Sequence, residues 1–288
     1  MKISLLGTGL MGLPMAQRLM DAHHSLTVYN RTASKLDPLQ AAGATIVPSA
    51  AAAIVASSCI ILMLTDAAAI HDLLLCDESR SQLTGRTVIQ MSTIAPHESQ
   101  TIRDEVVAAG GDYLEAPVLG SIPEARSGSL IVMVGAEPDQ FARWFTLLET
   151  FGLEPVLLGS VGSAAAVKLA LNQLIGALTS AFAVSLGLVT HQGVDAQAFM
   201  AILRKSALYA PTFDKKLQRM LDRDYENPNF PTQHLKKDID LFISAAQSSG
   251  LETNGVEGVR QILTKAIAMS FAEMDYAALF SAIVPPAE

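Results

Sequence analysis

A lysine and an asparagine four positions apart, Lys168 and Asn172, have a spacing suited to proton donation. Residues i and i+4 share one face of an α-helix, so the ammonium and the amide would point the same way. Reduction of a carbonyl needs a proton donor at the oxygen while hydride arrives at the carbon, and an ammonium both delivers the proton and stabilises the charge. The apolar neighbours of Lys168 equally suit a lysine that covers apolar surface and keeps its ammonium in water. The sequence chemistry alone leaves both interpretations open.

The second chemical signal is a glycine-rich segment, GTGLMG at residues 7–12, between a strand-like run and a helix-like stretch. Gly7 would permit a tight turn, Gly9 would let a pyrophosphate approach the backbone, and Gly12 would let the helix pack closely on the sheet. The helix N-terminus would attract the phosphates. This context predicts a dinucleotide site, against the alternative of a glycine turn that binds nothing.

The end of the second predicted strand, Asn30-Arg31-Thr32, should meet the ribose of such a cofactor. An acidic residue there would bond the ribose 2′-hydroxyl and repel a 2′-phosphate, but this triplet carries no carboxylate. The Arg31 guanidinium matches a phosphate in a bidentate manner. The triplet therefore favours NADP over NAD, with a solvated surface arginine as the alternative for Arg31.

A scaffold that positions these groups is indicated by the order of the apolar runs. Over residues 2–158, short apolar runs alternate with helix-like stretches, which predicts βαβ units and a mostly parallel sheet covered on both faces. After Gly162 the apolar positions recur at helical spacing. We therefore predict an α/β fold with a doubly wound domain over residues 1–162 and an all-α domain over residues 163–288. The strands are expected in KISLLG, SLTVYN, CIILMLT, RTVIQMS, the run around Tyr113 and Leu114, LIVMVG and PVLL.

A long helix starting near Ser163 is predicted to join the two domains. Its segment 174–189 is free of charge but shorter than the ~20 apolar residues that a membrane span needs, so we expect a long buried helix. Segment 225–231, YENPNFP, should be irregular because two prolines stand within four residues. Further helices are predicted near residues 195–205, 233–249 and 255–270.

The composition excludes several classes of function. With 288 residues, 50% of them hydrophobic and 17% charged, the chain is globular. A net charge of −8 offers no overall attraction for nucleic acids or anionic membranes. Two cysteines, Cys59 and Cys76, and six scattered histidines provide neither a disulfide framework nor a metal site. The opening residues lack a signal-peptide pattern, so we expect a cytoplasmic protein. GxSxG and GxxxxGK[ST] motifs are absent, which disfavours hydrolases and kinases.

Taken together, the motifs resemble the β-hydroxyacid dehydrogenase family, which includes 3-hydroxyisobutyrate dehydrogenase, tartronate semialdehyde reductase and glyoxylate/succinic semialdehyde reductase. The resemblance covers nearly the whole chain. It is carried, in order along the sequence, by GTGLMGLPMA, MST (91–93), EAPVLGSIPEARSGSL (115–130), GSAAAVKLALN (162–172) and FPTQHLKKDIDL (230–241).

The resemblance implies a Rossmann-type NADP-binding domain, a helical substrate and oligomerisation domain, and an active site between them. Lys168 would be the general acid and Asn172 would orient its ammonium or the substrate. Phe230 would lie near the nicotinamide, and Lys237 and Asp238 would close the site. No metal is implied. The residues implied for the cofactor are Gly7, Gly9, Leu10, Met11, Gly12, Asn30, Arg31, Thr32, Met63, Leu64, Thr93, Phe230 and Lys237. Those implied for the substrate are Thr93, Leu119, Gly120, Ser121, Lys168, Asn172 and Asp238.

One position departs from the family pattern. Segment 116–122 is similar to the substrate-carboxylate loop, but Leu119 stands where the family usually has serine. Carboxylate binding would then depend more on the backbone N–H groups of Gly120, Ser121 and Ile122. The Asn30-Arg31-Thr32 triplet and the EAPVLGS stretch look more like the NADPH-dependent glyoxylate/succinic semialdehyde reductase branch.

We therefore expect an NADPH-dependent reductase of small aldehyde acids. Its partner would be a small carboxylate-bearing aldehyde or hydroxyacid, not a nucleic acid or a membrane, and it would form a homo-oligomer, a dimer or a tetramer. The alternatives are a 3-hydroxyisobutyrate or tartronate semialdehyde enzyme, and an imine reductase, a relative that typically lacks the lysine. A non-catalytic NADP-binding sensor is the rival from another class, because a fold alone does not prove activity.

Overall fold

The computed structural model of the chain describes residues 1–285. It divides into two compact units, Met1–Lys168 and Leu169–Glu288, which are described separately below. Residues 286–288 of the predicted helical domain lie outside the described residues. The division falls within one continuous helix, and the domain boundary expected at residue 162 stays a prediction.

The first unit is built on a nine-stranded sheet. Its strands are β1 (Lys2–Leu6), β2 (Ser25–Tyr29), β3 (Thr45–Ile46), β4 (Cys59–Leu62), β5 (Thr87–Gln90), β6 (Asp112–Glu115), β7 (Val118–Leu119), β8 (Ile131–Gly135) and β9 (Val156–Gly159). The order is β3-β2-β1-β4-β5-β6-β8-β7, with β9 paired to β8. The strands from β3 to β6 pair in parallel, whereas β8 runs antiparallel to both β6 and β7. The predicted mostly parallel sheet is confirmed.

Helices cover both faces of this sheet, as the alternation of strands and helices predicts. Along β1, Leu5 faces one apolar core, which contains side chains of the first and eighth helices, and Leu6 faces the other, which contains side chains of the third, fourth and sixth. The helices of this unit are α1 (Gly12–Asp21), α2 (Asp37–Ala41), α3 (Ala50–Ala56), α4 (Ala67–Leu74), α5 (Asp77–Arg80), α6 (Pro96–Ala108), α7 (Ile122–Ser127) and α8 (Pro138–Leu148).

The long helix α9 (Ser163–His191) begins where the sequence predicts it. It is long and apolar enough to cross a membrane by length and composition, a test that core helices of soluble proteins also pass. The expectation of a buried helix needs correction, because 39% of its most apolar window is buried. A sequence that is apolar on all sides of a helix usually indicates that the helix is buried. One side of α9 is nevertheless exposed in this chain. The large apolar side chains on that side are Val167, Leu174, Leu178, Val184 and Leu188.

The second unit consists of helices packed around an apolar core that includes Phe182, Phe213 and Ile239. Residues 225–231 are irregular, as predicted. The last long helix ends at Ala266, and the chain continues through a π-helical turn in which Ser270 has a positive φ of 69°. The helices after α9 are α10 (Ala196–Leu203), α11 (Pro211–Asp222), α12 (Thr232–Ser248), α13 (Asn254–Ala266) and α14 (Leu279–Ile283). Of these, α11 and α14 were not predicted.

Candidate active site

Four neighbouring parallel strands deliver most of the predicted cofactor residues to one edge of the sheet. The carboxyl ends of β2, β1, β4 and β5 lie side by side, where open α/β sheets bind their ligands. Segment 7–12 follows β1 and segment 30–32 follows β2. Met63 and Leu64 follow β4, and Thr93 stands three residues after β5. The structure therefore brings these sequence-predicted residues together.

Steric constraints explain two of the three glycines in segment 7–12. Gly7 has a φ of +100°, and a Cβ there would collide with the carbonyl oxygen of Met63. A Cβ at Gly12, where α1 begins, would collide with the carbonyl oxygen of Gly7. Glycine is thus required at both positions by the packing of the loop on β4 and on itself.

The third glycine leaves room for a ligand. No heavy atom lies within 4 Å of where a Cβ on Gly9 would stand. The neighbouring Thr8 hydroxyl is buried and has no hydrogen-bond partner among the described residues. Leu10 is 42% exposed and Met11 precedes the first turn of α1. An open backbone and a spare hydroxyl at a helix N-terminus fit the pyrophosphate of a dinucleotide.

Asn30 ties this glycine loop to the end of β2. Its Oδ1 atom accepts a hydrogen bond from the N–H of Thr8 at 3.1 Å, and its Nδ2 atom donates to the carbonyl oxygen of Thr32 at 2.9 Å. The amide thus holds the two segments that would contact the cofactor. The Arg31 side chain beside it is exposed. Its guanidinium is accessible to a ligand arriving from solvent, and the alternative of a solvated arginine stays open.

A buried glutamine that the sequence analysis missed fixes the loop after β5. The side chain of Gln90 accepts from the N–H of Ser92 and donates to the carbonyl oxygen of Ser92, the latter at 3.0 Å. The Ser92 hydroxyl in turn accepts from the N–H of Leu64 at 2.8 Å. These bonds set the position of Thr93, which is half-buried. A polar residue that ends an otherwise apolar strand is the signal that could have revealed Gln90.

The predicted substrate loop contains an internal hydrogen-bond network. Both the N–H and the hydroxyl of Ser121 donate to Oε2 of Glu124, at 2.9 and 2.7 Å. The role predicted for Ser121 requires these donors for a substrate carboxylate, whereas here Glu124 uses them. Gly120 has a φ of +136°, and Leu119 is half-buried. The N–H groups of Gly120 and Ile122 are the remaining backbone donors that were predicted for this loop.

Lys168 stands at 8% exposure on α9. Lysine is rarely buried to this extent without a partner or a function, and a lysine that only covers apolar surface keeps its ammonium wet. This burial does not match a lysine that only covers apolar surface with its ammonium in water, and the role of Lys168 as proton donor stays a prediction. Asn172 follows one turn later on the same helix, as predicted from the spacing of four residues.

In the second unit, three predicted residues form one polar cluster. Nδ2 of Asn172 donates to Oδ2 of Asp238 at 2.6 Å, and Nζ of Lys237 lies 3.0 Å from Oδ1 of Asp238. Asn172 and Asp238 are each 2% exposed. The Oδ1 atom of Asn172 is buried and has no hydrogen-bond partner among residues 1–285. The structure thus joins α9 to α12 through the side chains that the resemblance implicates, and leaves one buried acceptor available.

Phe230 packs against the Tyr276 ring, which in turn contacts a buried ion pair, and sequence reasoning missed both. Its ring lies 5.8 Å from the ring of Tyr276, whose N–H donates to the carbonyl oxygen of Phe230 at 3.1 Å. Nζ of Lys216 lies 4.1 Å from the centroid of the Tyr276 ring and 2.7 Å from Oδ1 of Asp275. Burial lowers the pKa of Lys216, and the Asp275 carboxylate opposes that shift. Burial raises the pKa of Tyr276 to about 12.

Neither a metal site nor a disulfide is found among the described residues. Within residues 1–285, no group of three histidine, cysteine, aspartate or glutamate side chains is arranged to hold a metal ion. Cys59 and Cys76 are free cysteines, the first buried and the second exposed. Burial raises the pKa of the Cys59 thiol to about 12, so it is not a reactive thiolate at neutral pH.

Comparison with known proteins identifies the family. Residues 2–159 match the NAD binding domain of 6-phosphogluconate dehydrogenase, and residues 162–283 match the NAD-binding region of NADP-dependent 3-hydroxyisobutyrate dehydrogenase. The chain is 30% identical to 2-hydroxy-3-oxopropionate reductase of Escherichia coli strain K12 over 286 residues, which cover 98% of this chain and 97% of that protein. The chain belongs to the β-hydroxyacid dehydrogenase family. The family expected from the motifs, and the prediction of an NAD(P)-dependent enzyme, are confirmed.

Other members of the β-hydroxyacid dehydrogenase family are similar over the full chain. Glyoxylate/succinic semialdehyde reductase 2 of Arabidopsis thaliana, a chloroplastic protein, is 29% identical over 98% of this chain and 79% of its own length. The structure of 3-hydroxyisobutyrate dehydrogenase from Salmonella typhimurium superposes with a TM-score of 0.87 at 22% identity, covering 97% of this chain and 99% of that one. The latter likeness establishes the fold, including the combination of a Rossmann-type sheet with a helical C-terminal part.

Proposed function

We propose that this β-hydroxyacid dehydrogenase reduces small aldehyde acids, of the size of glyoxylate or succinic semialdehyde, to the corresponding hydroxyacids. The observation that carries the proposal is the buried Lys168, one helical turn before an asparagine held by Asp238. A lysine so placed supplies a proton and a positive charge, which is what an aldehyde oxygen needs as it becomes a hydroxyl. The relatives whose names denote oxo-acid and aldehyde-acid reductases support this substrate class.

The chemistry divides between cofactor and protein. NADPH, when bound, supplies the hydride that forms the new C–H bond at the aldehyde carbon. Lys168 donates a proton to the carbonyl oxygen, so that the aldehyde becomes a primary alcohol and the lysine is left neutral until solvent reprotonates it. Asn172 is oriented by Asp238 and presents its Oδ1 atom as an acceptor for the ammonium or the substrate. Thr93 and the loop of residues 119–122 hold the substrate carboxylate.

The proposal is tested by following NADPH consumption with a panel of short aldehyde acids that includes glyoxylate, succinic semialdehyde and tartronate semialdehyde. We expect turnover with at least one of them, and the member with the highest kcat/KM defines the branch. Preference for tartronate semialdehyde, or oxidation of 3-hydroxyisobutyrate, would favour the alternative within the family. NADPH binding without turnover on the whole panel would favour the non-catalytic sensor.

Arg31→Ala is expected to weaken NADPH binding about tenfold or more and to leave NADH binding nearly unchanged. Arg31 is the exposed cation beside Asn30 at the end of β2. Removal of its guanidinium therefore weakens the binding only of the cofactor that carries a 2′-phosphate. Dissociation constants for both cofactors, measured by fluorescence titration, check this. Lys35→Ala, at another exposed cation four residues on, is the control and should affect both cofactors equally little. Equal losses in Arg31→Ala would contradict the NADP preference.

Leu119→Ser is expected to change the ranking of aldehyde acids by kcat/KM and to leave the Kd of NADPH within about twofold. The new hydroxyl would add a donor where the loop is proposed to meet the carboxylate. Ile131→Ser is the matched control, because Ile131 is paired with Leu119 on β8 and its side chain is exposed. An unchanged ranking together with altered NADPH affinity would show that this loop serves the cofactor.

The exposed apolar side of α9 and the free cysteines bear on assembly and on cellular compartment. The exposed apolar side of α9 is of the kind that soluble proteins cover, and a second copy of the chain would cover it symmetrically. We therefore propose a homo-oligomer, a dimer or a tetramer, whose mass is measured by sedimentation equilibrium. The two free cysteines support a reducing cytoplasm as its location.

A further inference from the structure

Glu115, the last residue of β6, is a fully buried carboxylate with an exposed fraction of 0%. In the sequence it is the first residue of the EAPVLGS stretch. A buried carboxylate is costly unless hydrogen-bond donors surround it. The hydrogen-bond donors around Glu115 therefore indicate its structural role.

Four donors converge on this side chain. Oε1 accepts from the N–H groups of Gly162, Ala164 and Ala165 at 2.8, 2.9 and 3.1 Å. Oε2 accepts from the hydroxyl of Ser99, a residue of α6. Charge-assisted bonds of this kind are the stronger class of hydrogen bond. Glu115 therefore anchors the chain segment that opens α9.

Gly162 directly precedes the long helix α9, and the N–H groups of Ala164 and Ala165 stand in its first turn. Such groups have no acceptor within their own helix, and the helix dipole adds attraction for a negative charge at this end. The carbonyl oxygen of Ala164 accepts the backbone hydrogen bond of residue 168 in an α-helix that begins at Ser163. The turn that Glu115 holds is therefore the one directly before Lys168, joined to the backbone of Lys168 by that hydrogen bond.

We propose that Glu115 is a positioning residue for the reaction: it fixes the height and rotation of the first turn of α9 and thereby aims the ammonium of Lys168. This inference rests on the proposed role of Lys168 as proton donor. An acid–base role for Glu115 itself does not fit, because its oxygens already accept four hydrogen bonds and no part of the residue reaches solvent. Burial raises the pKa of Glu115, and the bonds from Ser99 and the backbone oppose that shift.

The opposite strand provides an independent way to move this carboxylate. Gly135 on β8 pairs with Glu115, and a Cβ at Gly135 would collide with its Oε1 atom. Gly135→Ala therefore displaces the carboxylate without removing its charge. Glu115→Gln keeps the shape and removes the charge. The two variants disturb the same anchor by different physical means.

The first experiment compares kcat, the Kd of NADPH and the Tm of Glu115→Gln and Gly135→Ala with those of the unaltered protein. We expect each variant to lower kcat about tenfold while the Kd of NADPH stays within about twofold. Asp195→Ala is the control, because Asp195 caps α10 through the N–H of Ala198 and that helix carries no proposed site residue. It should lower Tm without lowering kcat. Unchanged kcat in both folded variants would overturn the inference.

The second experiment separates positioning from general loss of structure. If Glu115 acts through Lys168, adding Glu115→Gln to Lys168→Ala should lower kcat by less than about twofold beyond the single Lys168→Ala variant. A further tenfold loss in the double variant would show that Glu115 acts independently of the lysine. Near-normal turnover of Lys168→Ala would instead contradict the proposed function, so the two failures are distinguishable.

Discussion

Lys168→Ala is expected to lower kcat by about 10²–10⁴-fold while NADPH still binds. The ammonium stabilises charge that develops on the carbonyl oxygen, an interaction stronger in the transition state than in the ground state, so its loss falls on turnover. Lys168 is buried, so the substitution also leaves a space that costs stability. Steady-state kinetics, together with NADPH titration and thermal unfolding of the same preparation, measure these effects separately.

Lys168→Arg is the companion variant, since it keeps the positive charge. A guanidinium is bulkier than an ammonium and hardly gives up its proton, so it should restore little of the turnover. A lysine that only covers apolar surface would give the opposite pattern, with lower stability and nearly normal kcat in the folded fraction of Lys168→Ala. That outcome would refute the proposed mechanism.

Lys216→Ala is expected to lower the free energy of unfolding by about 3–5 kcal/mol. The substitution leaves the Asp275 carboxylate, whose exposed fraction is 0%, buried without its cation. It also removes the ammonium from the face of the Tyr276 ring. Urea denaturation followed by circular dichroism measures the loss. Because Tyr276 supports Phe230, we also expect a weaker affinity for NADPH in the folded variant.

Lys236→Ala serves as the comparison for that measurement. Lys236 and Asp240 form an ion pair one turn apart on α12, with a distance of 2.7 Å, but both side chains are partly exposed to water. Exposed pairs of this kind contribute about 0.3–0.5 kcal/mol. A similar small loss for Lys216→Ala would mean that water relaxes around Asp275 and that this buried pair does not stabilise the second unit.

Local sequence patterns were sufficient for the elements whose signal is contained within one segment. The run KISLL before a glycine turn predicted β1, and two prolines predicted the break at 225–231. The two-residue strands β3 and β7 are too short to show a period, and an apolar run such as that of β8 gives no direction. The α11 signal was present, because Phe213, Leu217 and Met220 are buried at helical spacing after Pro211, yet polar residues surround them.

The residues of the candidate site also differ in whether a local sequence pattern reveals them. The glycine segment and the pair of Lys168 and Asn172 could be found because their spacing is local. The bond from Asn172 to Asp238 joins residues 66 positions apart, and that from Lys216 to Asp275 joins residues 59 positions apart. Family resemblance supplied Asp238, but no pattern pointed to Lys216. Partners at that separation become visible only when the chain has folded, because packing and not spacing selects them.

The helix α9 has a mechanical consequence for the proposed reaction. Lys168 closes the first compact unit and Asn172 belongs to the second, yet they stand four positions apart on one unbroken helix. An α-helix rises 1.5 Å per residue, which sets the two backbone positions about 6 Å apart along its axis. The continuous backbone hydrogen bonds of α9 fix that spacing, so the proton donor and its neighbour keep their axial separation for as long as this helix stays folded.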